Sequence, residues 1–285
     1  MTEDRPQILL TNDDGIQSPG LWSAAEALST LGFVHVAAPR EQSSGTGRGL
    51  PNNSDGIIRA LKLRVHEKDW TVYSVGGTPA QAVQLAILEI LPRPPDLVVS
   101  GINYGENVGS GVTISGTVGA ALEGSAFGIP ALAISLETVI EHQLDLSAEI
   151  KFTTAAYFTT YFARLLLAKP MPFDVDVLKV EVPTDATPQT PWEVTRLARH
   201  SYYHPLKPNR DSWEEPTVVD YALSDLRPED LACDSDVYTL RFKHLVSVTP
   251  LSLDLTSRVD LPDFERYLKE HQESRPEDTQ TAQKS

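Results

Sequence analysis

The sequence predicts an α/β protein with a mostly parallel sheet and a C-terminal β-hairpin or arm extension. Three observations lead there. In the first half, short β-branched and aliphatic runs alternate with helical periodicities, the pattern of parallel strands joined by crossover helices. Polar, glycine-containing clusters follow three of these strand candidates, at the position where open α/β sheets bind ligands. From about residue 200 the periodicity gives way to a stretch rich in Pro, Asp, Tyr and Trp.

Gln7 to Leu10 is a continuous apolar strand candidate that runs into the turn Thr11-Asn12-Asp13-Asp14-Gly15. Ser18 and Pro19 suit a helix cap and the first helical position, and Leu21, Trp22, Ala25, Leu28 and Leu31 follow at helical spacing. Phe33 to Ala38 is a second buried strand. The polar loop from Pro39 to about Gly56 is too long for a plain connection, which makes it a candidate functional loop. Ile57 to Val65 and Trp70 to Val75 pair as a hairpin, and Thr78-Pro79-Ala80-Gln81 is a capping box opening a helix to Leu91. Asp96 to Ser100 is a strand, Gly101 to Gly111 a glycine-rich loop, and Ser115-Gly116-Thr117 the head of a small-residue helix through Phe127. Ile129 to Ser135 closes this half as a strand, followed by a long helix from Ser147 to Ala168.

In the second half, Val175 to Val182, Trp192 to Arg199 and Val237 to Val248 read as strands. Leu261 to Lys269 reads as a terminal helix, and the composition from Glu270 to Ser285 is that of a disordered tail. The expected organisation is a core over residues 1–199, an extension over 200–260, and a helix with tail over 261–285.

With 24 Lys and Arg against 39 Asp and Glu, the formal net charge is −15. Such a chain lacks the broad positive field that drives non-specific binding to nucleic-acid polymers or anionic membranes, so any phosphate must be held locally. No apolar run approaches the roughly 20 residues of a membrane span, and the N-terminus has no secretory pattern. Cys233 is the only cysteine, which excludes an internal disulfide and a Cys-rich zinc site. The expectation is a cytoplasmic protein.

The clusters Asn12-Asp13-Asp14-Gly15, Ser43-Ser44-Gly45 and Ser100-Gly101-Ile102-Asn103 fall at strand ends that can meet at one place. Adjacent carboxylates repel unless a cation lies beside them, and a hard divalent ion with oxygen ligands from Asp, Ser and Asn suits Mg²⁺ or Mn²⁺. The same stretches also read as ordinary turns with capping side chains. Ser115-Gly116-Thr117 offers free backbone N–H groups and a helix dipole to a phosphate, or is simply an N-cap with close packing. Asn107 can donate its amide to the same phosphate or occupy a turn. A phosphate-binding Gly-x-x-x-x-Gly-Lys-Ser/Thr loop, a Gly-x-Gly-x-x-Gly after the first strand, and a Gly-x-Ser-x-Gly elbow are all missing, which counts against P-loop NTPases, ordinary dinucleotide folds and α/β-hydrolases.

Several stretches occur together: Ile8 to Gly15, Ser18-Pro19-Gly20, Ala38 to Gly45, Gly77-Thr78-Pro79-Ala80, Pro95 to Asn103, and Ser115 to Val118. In this order they resemble the SurE survival-protein family of metal-dependent nucleotidases. A weaker likeness covers Val246 to Leu251 and Asp254-Leu255-Thr256. The resemblance implies one divalent metal, Mg²⁺ or Mn²⁺, held by Asp13, Asp14, a serine of the Ser43-Ser44 pair and Asn103. Counting from Pro39 selects Ser44, whereas aligning on Glu41-Gln42 selects Ser43. It also implies a Rossmann-like core and a C-terminal extension exchanged between subunits of a homodimer or homotetramer. Gln81 stands where an acidic residue is expected, Arg48 where histidine or asparagine is common, and Tyr202 to Asp220 departs from the usual arm sequence.

The implied activity is hydrolysis of nucleoside 5′-monophosphates, with 3′-monophosphates as further candidates, to nucleoside and phosphate. Asp13 and Asp14 would handle the attacking water, and Asn107, Ser115, Gly116 and Thr117 would hold the phosphoryl oxygens. The alternatives are a phosphatase of polyphosphate or small metabolites at the same site, and a non-catalytic nucleotide or phosphate sensor.

Overall fold

The computed structural model describes residues 5–65, 68–138 and 150–270. Its nine-stranded sheet contains β1 (Gln7–Thr11), β2 (Phe33–Pro39), β3 (Ile58–Val65), β4 (Lys68–Val75), β5 (Leu97–Tyr104), β6 (Ala131–Leu136), β7 (Val177–Val182), β8 (Trp192–Val194) and, later in the chain, β11 (Val246–Leu251). The order across it is β3-β4-β2-β1-β5-β6-β7-β11-β8. The central strands are parallel, and antiparallel pairs occur where β3 meets β4 and β11 meets β7. The chain winds outward from β1 to β2 on one side and continues from β5 to β7 on the other. The gap beyond β1 and β5 is therefore the topological switch point, where α/β sheets bind ligands.

Alternation along each strand divides the core between the two sheet faces. Ile8 and Leu10 of β1, Leu97 and Val99 of β5, and Leu132 and Ile134 of β6 face α1 (Pro19–Leu28) and a later long helix. Leu9, Val98, Ala131 and Ala133 point the other way, toward α2 (Pro79–Leu85) and α3 (Gly116–Ala126). The long helix is α4 (Thr153–Ala168), whose Ala155, Phe158, Phe162, Ala163 and Leu166 form a buried stripe at helical spacing.

The capping box of α2 forms as expected, with Thr78 Oγ1 accepting from the Gln81 N–H at 3.2 Å and Gln81 Oε1 from the Thr78 N–H at 3.1 Å. Ser18 does stand at the N-cap of α1, but its hydroxyl makes no capping bond and is buried without a partner. The expected start of α4 at Ser147 lies outside the described residues; residues 150–152 are not helical.

The largest departure from expectation is the supposed strand from Val237 to Val248. Residues Asp236–Arg241 form a helix, α5, capped by Ser235 Oγ accepting from the Tyr238 N–H at 3.3 Å, and only Val246 to Leu251 is strand. Val237 and Leu240, three apart, enter a small core with Val108, Ala198, Tyr202 and Leu231, so tertiary packing overrides the β preference of Val237, Tyr238 and Thr239. The strand expected over Trp192 to Arg199 also stops at Val194, because the Arg196 N–H turns to the Asp234 carbonyl.

Within the stretch expected to form an extension, β9 (Tyr203–Pro205) pairs antiparallel with β10 (Tyr221–Leu223). Contacts group the chain through Leu253 as one compact unit and the chain from Asp254 as a second. The second contains α6 (Leu261–Glu270), the expected terminal helix, tied along its surface by pairs of Arg266 with Asp263 and Lys269 with Glu265. Among the described residues no helix is long and apolar enough to cross a membrane.

Candidate active site

Strand β1 ends at Thr11, paired with Ser100 of β5, so the turn after β1 leaves the sheet beside the last residues of β5, Gly101 to Tyr104. Asn12 closes the turn by donating to the Gly15 carbonyl at 3.1 Å. Gly15 has φ of +93°, and a side chain there would also press on the backbone at Glu41. This tight turn carries Asp13 and Asp14 at the end of the strand, both only 4% exposed.

Asp13 joins three segments. Its main-chain carbonyl accepts from the Ser43 N–H at 2.7 Å, which brings the loop after β2 to it. Its carboxylate accepts from the Thr117 hydroxyl, and the approach is close because residue 116 is glycine: a Cβ there would lie 2.7 Å from the Asp13 Cβ. The start of α3 thus faces Asp13, while Ser115 acts as the N-cap by accepting from the Val118 N–H at 3.1 Å. Asp14 touches the end of β5, its Oδ2 accepting from the Tyr104 N–H at 3.3 Å. Asn103 donates its amide nitrogen to the Tyr104 and Gly105 carbonyls at 3.1 and 2.6 Å. Two carbonyl neighbours require a donor, so this contact fixes the amide's orientation and leaves Oδ1 as its free end.

Burial pushes the Asp13 carboxyl above its ordinary range against the pull of the Thr117 hydroxyl and the Gly116 and Thr117 N–H groups. Burial, and then the charge of Asp13, push Asp14 well above it. Among the described residues neither carboxylate forms an ion pair with Lys, Arg or His. Nearby Thr11 Oγ1, Asn12 Oδ1 and Ser100 Oγ are buried without hydrogen-bond partners. This all-oxygen donor set, with uncompensated negative charge, fits a hard divalent cation. Among the described residues no three His, Cys, Asp or Glu side chains gather, so Ser and Asn oxygens are needed to complete such a shell. Of the two serines, Ser44 is exposed on the loop surface, and Ser43 is half-buried with its hydroxyl on the Glu41 carbonyl at 3.3 Å. The loop that carries them is tied to α3 by Arg48, whose Nε lies 2.6 Å from buried Glu123.

Asn107 lies on the loop after β5 and is anchored by residues not singled out from the sequence. Its N–H donates to Glu181 at 2.9 Å, its carbonyl accepts from Lys179 Nζ at 2.8 Å, and its amide donates to Ser135 Oγ at 3.0 Å. Lys179 also pairs with Glu181 at 3.3 Å and Asp236 at 3.2 Å, all three side chains being fully buried. Burial pulls the Lys179 ammonium down, but Glu181 and Asp236 outweigh it and hold it above its ordinary value. Glu181 is pushed up to about 7, mainly by burial. A readable signal existed: Lys179 and Glu181 alternate within an otherwise apolar buried strand, and charges there require partners. Glu106, next to Asn107, is also buried and accepts from the Tyr203 hydroxyl at 2.6 Å.

The sequence pattern of the family described as Survival protein SurE matches residues 8–204. Proteins named 5′-nucleotidase SurE are similar along most of their length. That of Methanosarcina mazei is 38% identical over 92% of this chain and 98% of the relative. That of Thermococcus gammatolerans is 39% identical over 92% and 96%. The crystal structure of the SurE protein from Aquifex aeolicus superimposes with a TM-score of 0.71 at 32% identity, covering 93% of this chain and all of that one. With the family pattern matched over more than half of the chain and the fold in common, the chain belongs to the SurE family.

Proposed function

We infer that the chain is a 5′-nucleotidase that hydrolyses nucleoside 5′-monophosphates to nucleoside and phosphate. The observation that carries this reading is the pair of buried carboxylates at the switch point, Asp13 and Asp14, without a cationic partner among the described residues. Membership of a family whose relatives bear that activity in their names supports it.

In this reading Asp13, Asp14, Ser44 and Asn103 hold one divalent ion, Mg²⁺ or Mn²⁺. Such an ion supplies positive charge to a phosphoryl oxygen and acidifies water at neutral pH. Asp13 or Asp14 orients the attacking water and takes its proton as the new P–O bond forms. The bond from phosphorus to the ribose oxygen breaks, and that oxygen leaves as the nucleoside hydroxyl, taking back the proton that the carboxyl accepted from water. Asn107, with Ser115, Gly116 and Thr117 at the start of α3, holds the non-bridging oxygens as their charge shifts. In a chain of net charge −15 these local donors replace a lysine-rich pocket.

We assign 1–199 to the catalytic core, 200–260 to the extension, through which the chain forms a homodimer or homotetramer, and 261–285 to a terminal helix and tail. A cytoplasmic location suits a chain whose single cysteine, Cys233, is free and exposed.

The test is phosphate release from nucleoside 5′- and 3′-monophosphates and from polyphosphate, with Mn²⁺, Mg²⁺ or EDTA. Metal-dependent release from the 5′-monophosphates is expected, and Asp13→Asn or Asp14→Asn should lower it by roughly 100-fold or more together with Mn²⁺ binding. Tight nucleotide binding without release would identify a sensor instead.

A further inference from the structure

Asn107 has its main-chain N–H, main-chain carbonyl and side-chain amide all bonded to buried groups: Glu181, Lys179 and Ser135, at 2.9, 2.8 and 3.0 Å. Because Ser135 Oγ accepts from the Asn107 amide, its own proton must go elsewhere, and Glu181 Oε1 lies 3.4 Å away to take it. The chain of bonds therefore has a direction, from Asn107 through Ser135 to Glu181. It fixes which way the carboxamide faces and uses one of its two N–H bonds, leaving the other for a ligand. Asp236 continues the clamp along the loop, with Oδ2 accepting from the Gly109 N–H at 3.0 Å and from Lys179, and Oδ1 from the Ala198 N–H at 2.9 Å.

A buried Lys-Glu-Asp set is seldom the most stable filling of a core, since well-packed apolar residues of similar volume often do as well or better. What it does supply is a single arrangement of the backbone it bonds, and here that backbone is Asn107 to Gly109. We propose that Ser135, Lys179 and Glu181 are positioning residues for the substrate's phosphoryl group, acting through Asn107. This rests on the reading of Asn107 as a phosphate-holding residue.

The experiment is a double-mutant cycle on the full-length chain with Mn²⁺, using Asn107→Ala, Ser135→Ala and the pair. Three quantities are measured: kcat and KM for adenosine 5′-monophosphate, and the Kd of inorganic phosphate by calorimetry. Ser135→Ala should raise KM and the phosphate Kd by about tenfold, the effect of one orienting hydrogen bond, while kcat changes much less. In the Asn107→Ala background the same substitution should have no further effect. Glu181→Gln should move KM and Kd in the same direction, and takes the place of Ser135→Ala if that variant does not fold. Additive effects, or unchanged KM and Kd in Ser135→Ala while Asn107→Ala raises both, would overturn the relay but leave Asn107 on the phosphate. If Asn107→Ala itself changes nothing, the phosphate-holding reading of Asn107 fails, and the relay with it.

Discussion

At the scale of single residues, the chain keeps several acids buried in its interior, and Glu181 shows what this does to stability. Its carboxyl is raised from 4.5 to about 7, first by burial, with Asp236 and Glu106 adding to the rise and Lys179 and the Asn107 N–H opposing it. Between those pH values the folded chain retains a proton that the unfolded chain has released. Stability is therefore lost as pH rises through that window, by an amount on the order of 3 kcal/mol. Urea unfolding of the metal-free protein at successive pH values should show this slope, and Glu181→Gln should flatten it. The candidate positions Asp13 and Asp14 were legible as polar residues placed directly after an apolar strand, whereas Asn103 lies inside β5, which runs past the expected end at Ser100. The charges of Lys179 and Glu181 within a buried strand signalled that partners exist, but not which ones. Lys179 and Asp236 meet only after β7 and α5 pack, and no local pattern joins positions 57 apart.

At the scale of elements, α3 contributes more through its first turn than through its length. Its N-terminus faces Asp13 closely enough that a Cβ on Gly116 would lie 2.8 Å from the Asp13 Oδ2. Gly116→Ala should displace that carboxylate and lower turnover by roughly tenfold or more, while helix propensity alone would favour alanine by about 1 kcal/mol. Gly111→Ala is the control, since a Cβ there meets nothing within 4 Å. Comparing turnover with thermal melting in both variants separates site distortion from loss of fold. The elements of the first half could be read because caps, apolar runs and turns agree, as in the Thr78 box ahead of α2. The segment around α5 could not, because Val237, Tyr238 and Thr239 favour strand locally and only the packing of Val237 and Leu240 makes them helical.

At the scale of the whole molecule, the β9–β10 hairpin projects a connection that exposes apolar side chains, Trp213 being 91% and Val218 80% exposed. If this segment joins subunits, replacing residues 206–220 with a short Gly-Ser linker should reduce the mass measured by light scattering to that of a monomer while the melting of the core persists. An unchanged mass would remove the arm from the assembly. The central pairing of β1 with β5 has another consequence. It joins Ile8 to Leu97 across some ninety residues of chain, and the turn after β1 brings Asp14 to Tyr104 at the end of β5. The first helix and the outer hairpin are local and can form early during refolding, but nothing resembling the site exists until that distant crossing closes. Regain of activity thus reports a long-range closure rather than the first collapse, and a chain interrupted within β5 would be inert.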